Sequence, residues 1–284
     1  MTHDDDVVGG WTLDPKTRDA LQMQRAKDAY ARGELTTVMV ELEELLDLQP
    51  TNTEALALLA DATMETGDSV GATQIYDHVL TLVDANDSLL AALGIARFEA
   101  CDLHGAISAS RAAIRLAPDN ADAHYTLGLA LSWVDIRSQE AVRAFSAAHS
   151  LAPERFAFPL HVEASDWERL VGTAASLLAE DLLAFWDDIP VRVETLPSLE
   201  ELTASPLPLP PTVRGMYVGT PPEDVDDDGA RPEALRLFAT NLSGLGDEDR
   251  IIQAIAEVFE AEALDWLGIP PEEDGAMFLG DEAS

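Results

Sequence analysis

The stretch Asp87 to Asn120 repeats at a fixed spacing of 34 residues, and that period constrains the chain more than any other feature. Gly94, Ala106, Ala113 and Pro118 mark close approaches and a turn, while Leu93 and Leu116 supply apolar surface. Moving back 34 residues gives Ala60, Ala72, Val79 and Asp84, and moving back again gives Ala26, Val38, Leu45 and Pro50. Moving forward gives Gly128, then, after one extra residue, Ala141, Ala148 and Pro153. Four units follow: Asp19 to Asn52, Thr53 to Asn86, Asp87 to Asn120, and Ala121 to about Glu154. A period of this length with helical apolar spacing predicts paired helices that bury their faces only by stacking on the next pair.

Asp14-Pro15 predicts a helix start, with the aspartate as N-cap and proline at the first turn, where its missing N–H costs nothing. Each unit then reads as two antiparallel helices joined at Arg32-Gly33, Thr66-Gly67, Cys101-Asp102 and the longer Asp135 to Ser138. Small residues at the eighth, twentieth and twenty-seventh places, with proline near the end, resemble the tetratricopeptide repeat. That resemblance implies an α-solenoid whose first helices line a binding groove. Carried over place by place, the groove takes Met23, Lys27, Tyr30 and Ala31 from the first repeat, and Glu54, Ala57, Asp61, Met64 and Glu65 from the second. The third gives Ala91, Ile95, Phe98 and Glu99, and the fourth Asp122, Tyr125, Leu129, Ser132 and Trp133. Such a groove is apolar with an acidic margin. The alternative is that Phe98, Tyr125 and Trp133 pack between helices or under the C-terminal domain.

Charge limits the partners. The chain has 53 Asp plus Glu against 17 Lys plus Arg, a formal net charge of −36. Phosphate backbones and anionic bilayers are repelled, so neither nucleic acid nor membrane is an expected partner. Lys16 and Lys27 are the lysines of the sequence. Lys27 is the one groove place with a cation, which disfavours an anionic tail and favours a protein partner with apolar anchors and flanking Lys or Arg. Cys101 is the single cysteine, so no internal disulfide forms and a reducing cytoplasmic setting is expected. The residue reads as a small side chain in a turn. The acidic N-terminus (1–18) lacks the apolar run of a secretory signal.

Beyond the break Pro153 to Pro159 the pattern changes. A helix is expected from a Ser165 N-cap, with Glu168 completing a capping box, to about Trp186. Strands are expected at Ile189 to Leu196, Arg214 to Val218 and Ala234 to Ala239. Pro206 to Pro211 reads as an extended loop, and a last helix as running from Asp247 to Leu267 with Gly268 closing it. Trp167-Glu168-Arg169-Leu170-Val171, Ile189 to Glu194, Gly215-Met216-Tyr217-Val218-Gly219-Thr220-Pro221 and Ala234 to Phe238, in that order, resemble the minimal zincin-like metallopeptidase family. The resemblance covers 165–273 and is followed by an acidic tail, 274–284. It implies a small α+β domain after the repeats (19–160) in a mainly α chain.

In that family the last helix carries H-E-x-x-H, which places two zinc-binding histidines on one face with a glutamate between them as general base. The corresponding residues are Ala261-Glu262-Ala263-Leu264-Asp265. Both histidine places are changed, the glutamate remains as Glu262, and the third-ligand place falls on Pro271. No histidine follows His161. The resemblance thus points to a scaffold without catalytic zinc and with no cofactor, in which Glu262 and Asp265 are remnants. The alternatives are a metal-dependent peptidase using Glu262 in an unconventional carboxylate site, a solvated helix-face carboxylate among Glu257, Glu260 and Asp265, or a structural subunit of a larger assembly. Asp224, Asp226 and Asp228, with Gly229, fit the first half of a calcium loop, but Leu235 stands where a bidentate glutamate is required. An acidic solvated loop is the competing account.

Taken together, these residues predict a protein-interaction scaffold built from a repeat array and a degenerate zincin-like domain, with a metal-dependent hydrolase using Glu262 as the alternative.

Overall fold

The structure, a computed structural model, describes residues 7–8, 11–12, 14–205, 207–221 and 231–269. The chain divides into two compact units: Met1–Leu151 with Thr203–Leu209, and Ala152–Leu202 with Pro210–Ser284.

The first unit opens with a short antiparallel pair, β1 (Val7–Val8) and β2 (Trp11–Thr12), which the helical periodicity does not announce. Eight helices follow: α1 (Pro15–Ala31), α2 (Leu35–Leu48), α3 (Thr53–Glu65), α4 (Ser69–Leu82), α5 (Asp87–Glu99), α6 (Leu103–Leu116), α7 (Ala121–Val134) and α8 (Gln139–Leu151). Helices α3, α5 and α7 begin 34 residues apart, and each packs against the helix that follows it. The unit is therefore a tetratricopeptide-like array of four helix pairs.

The period is written in the caps. Asn52, Asn86 and Asn120 accept the N–H groups of Ala55, Leu89 and Ala123 at 3.1, 2.8 and 2.9 Å. Asp68 and Asp102 accept those of Gly71 and Gly105 at 2.7 and 2.9 Å. Each cap satisfies an N–H that has no partner inside its helix. The Asp14 cap of α1 forms as expected, accepting from Lys16 and Thr17. Between paired helices the chain turns through left-handed residues Gly33, Gly67 and Cys101, with φ of 74°, 84° and 61°. Buried small residues, including Ala26, Ala60, Ala96 and Ala130, let the helices approach closely, and Val38, Leu42, Leu45, Tyr76 and Phe145 fill the remaining volume.

The second unit contains α9 (Trp167–Ala175), α10 (Glu180–Phe185), β3 (Val191–Glu194), α11 (Leu199–Leu202), β4 (Gly215–Val218), β5 (Ala234–Phe238), α12 (Ala239–Ser243) and α13 (Glu248–Trp266). The single helix expected from Ser165 to Trp186 is two. Thr173 and Ser176 hydroxyls donate to the carbonyls of Arg169 and Thr173, drawing the backbone away from continued helix, and Ala179 is extended. The Ser165 capping box does not form either. Asp166 occupies the N-cap and makes no side-chain cap bond.

The sheet order is β3-β5-β4, with β3 parallel and β4 antiparallel to β5. Central β5 buries Ala234, Leu235, Leu237 and Phe238. These residues and α13 build a core with Trp167, Leu170, Trp186, Ile251, Ile255, Phe259 and Trp266. The Trp186 indole N–H donates to the Phe259 carbonyl at 2.9 Å, so the ring is buried with its polar edge satisfied. Helix α13 ends as the sequence predicts: Gly268 has φ 66° and Ile269 N–H returns to the Leu264 carbonyl at 2.9 Å.

Candidate functional site

Two groups of predicted residues come together, one in each unit.

In the repeat unit, α1 and α3 present charged and aromatic side chains to one another. The Tyr30 hydroxyl donates to Glu65 at 3.4 Å, and the hydroxyl of Tyr76, from α4, donates to Asp61. Burial holds the Asp61 carboxyl above its ordinary range, opposed by the Tyr76 bond and reinforced by Glu65. Burial also raises the Tyr30 phenol, and the nearby Asp61 and Glu65 charges add to it. Lys27 pairs with Glu54, so the lone groove lysine is already neutralised. Farther along, Glu99 at the end of α5 is pushed up to about 7 by burial. Met64 and Ile95 keep part of their surface accessible.

Other groove assignments require correction. Met23 is 8% and Phe98 1% exposed, so a ligand cannot reach them. Met23 packs with Ala26, Val38 and Leu42, while Phe98 packs with Leu103, Ala106 and Trp133. Ala91 is buried as well. Tyr125 meets Phe145 edge-on at 5.7 Å, and Leu129 lies against the same cluster, while both keep part of their surface accessible. Tyr76 is the residue the groove register misses, because it stands on a second helix. A buried tyrosine where the other repeats carry Leu42, Ser110 and Phe145 is the available signal, since its hydroxyl needs a partner. Cys101 lies near the Leu209 carbonyl, 3.8 Å from Sγ, and burial followed by the Glu99 charge raises its thiol. Neither effect favours a reactive thiolate.

In the second unit, Glu262 on α13 reaches the strand β4. Its Oε2 accepts the Tyr217 backbone N–H at 2.8 Å, and the Tyr217 hydroxyl donates to Asp265 Oδ2 at 2.9 Å. The Tyr217 ring packs edge-on against Trp266 at 5.1 Å. Burial pushes the Glu262 carboxyl up to about 7; the Tyr217 N–H opposes this and Asp265 adds to it. Tyr217 is itself raised to about 12, first by burial and then by Asp265. Glu262 and Asp265 are thus brought together around Tyr217 as a strand-to-helix tether. Among the described residues no three His, Cys, Asp or Glu side chains gather as a metal site. Asp224, Asp226, Asp228 and Pro271 lie outside the described residues.

No protein-family model and no curated protein matches the chain. Solved structures do resemble it. MamA (residues 41 to end) from Desulfovibrio magneticus RS-1 is 24% identical over 48% of this chain and 76% of its own, with a TM-score of 0.45. YrrB, described as a tetratricopeptide repeat protein with an unusual peptide-binding site, is 17% identical over 46% and 68%, with a TM-score of 0.42. The O-GlcNAc transferase of Thermobaculum terrenum, as its K341M mutant, is 22% identical over 54% of this chain and 29% of its own, with a TM-score of 0.45. Among the described residues no helix is long and apolar enough to cross a membrane.

Proposed function

We propose that the chain is a protein-interaction scaffold whose repeat unit captures a segment carrying both basic and apolar side chains. The observation that carries this reading is the gathering of Asp61 and Glu65 around Tyr30 and Tyr76, with Lys27 already paired. Carboxylates beside partly exposed Met64 and Ile95 suit a partner in which Arg or Lys flanks an apolar anchor. The second unit, in this reading, is a zincin-like domain without catalysis, its Glu262 reassigned from general base to tether. Operation in a reducing cytoplasm fits the single, half-buried thiol.

Titration of the full chain with a fluorescein-labelled peptide alternating Arg and Leu tests the capture. Exposed Glu65→Lys is expected to weaken binding about tenfold, and Glu65→Lys with Glu99→Lys to remove it. Undiminished binding by both folded variants overturns the groove model. The rival reading, a metal-dependent peptidase centred on Glu262, draws on that carboxyl's elevated pKa, which suits a general base. It requires Glu262 to release the Tyr217 N–H. Peptide hydrolysis that is lost in Glu262→Gln would favour it, whereas a structural subunit of an assembly would show neither binding nor hydrolysis.

A further inference from the structure

A pocket of about 390 Å³ in the repeat unit has the opposite charge to the rest of the chain. It is lined by Arg111, Ile114 and Arg115 of α6, His124 and Leu127 of α7, and Glu140, Arg143 and Ala144 of α8. Positions three and four apart on α6 and α8 fall on one helix face, so both helices turn an arginine-bearing stripe toward the same space. On a chain with 17 Lys plus Arg against 53 Asp plus Glu, three arginines and a histidine at one pocket run against the overall balance. Arg111 is held by Glu140 in a forked pair at 2.8 and 2.9 Å. The His124 ring is 2.9 Å from the Pro118 carbonyl. The Arg115 and Arg143 side chains make no ion pair or hydrogen bond among the described residues. Two uncommitted guanidinium groups therefore stand on separate walls beside half-buried Ile114, while Leu127 and Ala144 are buried in the core of the same unit.

We propose that this pocket docks an acidic protein segment bearing a bulky apolar side chain. The apolar anchor covers half-buried Ile114, and carboxylates on either side of it pair with Arg115 and Arg143, a geometry that guanidinium groups serve well. The openness of the rim favours a protein segment over a small molecule. The Arg111 and Glu140 side chains are 46% and 44% exposed, whereas small-molecule sites enclose most of their ligand. The site uses the second helices of the third and fourth repeats together with α7, so the scaffold has two sites of opposite preference.

The test is fluorescence anisotropy on the full chain with a short labelled peptide in which Leu-Phe is flanked by Glu and Asp. Two control peptides carry Ser-Ser in place of Leu-Phe, or Lys in place of the acids. The acidic apolar peptide is expected to bind, to weaken as salt rises, and to lose at least about tenfold in affinity in Arg115→Glu/Arg143→Glu. Both arginines are exposed, and an unchanged thermal melt shows that the variant is folded. No measurable binding, equal binding of the Ser-Ser peptide, or full binding by the double variant overturns the proposal. Glu65→Lys is expected to leave this binding unchanged, so its failure and that of the basic-partner reading are separable.

Discussion

The carboxylate of Glu262 accepts the backbone N–H of Tyr217 at 2.8 Å, joining α13 to β4. In the sheet order β3-β5-β4 this strand is at an edge, and an edge N–H needs a partner or water. Glu262 supplies that partner from partial burial, which raises its pKa to about 7. A carboxyl with a folded pKa above its unfolded value near 4.5 binds protons more tightly in the native state. Its ionisation therefore costs stability above about pH 7, and the cost is relieved as pH falls toward 4.5. Glu262→Gln keeps an acceptor for Tyr217 and removes the charge. The variant is expected to be more stable than the parent at pH 8, by about 1 kcal/mol after allowance for solvent screening, and to lose the advantage at pH 5. Thermal melts at the two pH values decide it; a variant less stable at pH 8 would show that the charged carboxylate strengthens the tether more than burial penalises it.

Arg236 on β5 reads out the opposite pH limb. It pairs with Glu194 at 2.7 Å and with Glu201, and its side chain is only 16% exposed. The bond from Arg236, followed by those from Ser198, holds Glu201 down at about 2. This contribution to stability is complete above the ordinary value of 4.5 and is lost as pH falls toward 2. Arg236→Met is expected to cost roughly 1–2 kcal/mol at pH 7, a figure reduced from that of a fully buried pair because both glutamates keep over a third of their exposure. The deficit should shrink below pH 4. Denaturant melts of parent and variant at pH 7 and pH 3 measure it, and a deficit independent of pH would mean that lost packing on Phe238, not charge, is responsible.

Cys101 occupies a backbone state that glycine fills in the two preceding repeats. Its φ of 61° corresponds to 74° at Gly33 and 84° at Gly67. A side chain there costs about 1 kcal/mol or more, partly offset because glycine gives the unfolded chain extra freedom. Cys101→Gly is therefore expected to be as stable as the parent or up to about 1 kcal/mol better, and Cys101→Val, with its branched Cβ, at least about 1 kcal/mol worse. Equal stability of the Gly and Val variants would remove the left-handed backbone as the explanation.

These repeats were legible because period, cap and turn are each fixed by residue type: Asn52, Asn86 and Asn120 cap, and Gly33 and Gly67 turn. Which face of a first helix remains open was less legible. Met23 and Phe98 satisfy a groove register, yet the neighbouring helix covers them, and the register alone carries no information about that cover. Tyr76 lies outside that register because it reaches Asp61 from a second helix. In the second unit, the position of β3 follows from period-two alternation, but the break between α9 and α10 depends on hydroxyl-to-backbone bonds at Thr173 and Ser176 that apolar spacing does not encode. Glu262 was found through a motif, whereas its bond to Tyr217 is a tertiary contact across 45 residues.

Gly94 and Ser110 form a close pair between α5 and α6. A Cβ built on Gly94 would lie 2.9 Å from Ser110 Oγ and 3.4 Å from the Ser110 backbone nitrogen. The first two repeats place Ala26 and Ala60 at this position, so a methyl group is compatible with the architecture and only the local neighbour opposes it. Ser110 Oγ is also fully buried with no hydrogen-bond partner among the described residues. Ser110→Ala removes an unsatisfied hydroxyl and is expected to stabilise the unit by about 1 kcal/mol. Gly94→Ala gains about 1 kcal/mol of helix propensity but meets the hydroxyl, so alone it is expected to be neutral or destabilising. In the double variant the obstacle is gone, although the 3.4 Å approach to backbone remains. The two changes together should exceed the sum of their separate effects by about 0.5–1 kcal/mol, a coupling that a double-mutant cycle in urea resolves. Simple additivity would mean that the Ser110 backbone, and not its hydroxyl, sets the spacing between α5 and α6.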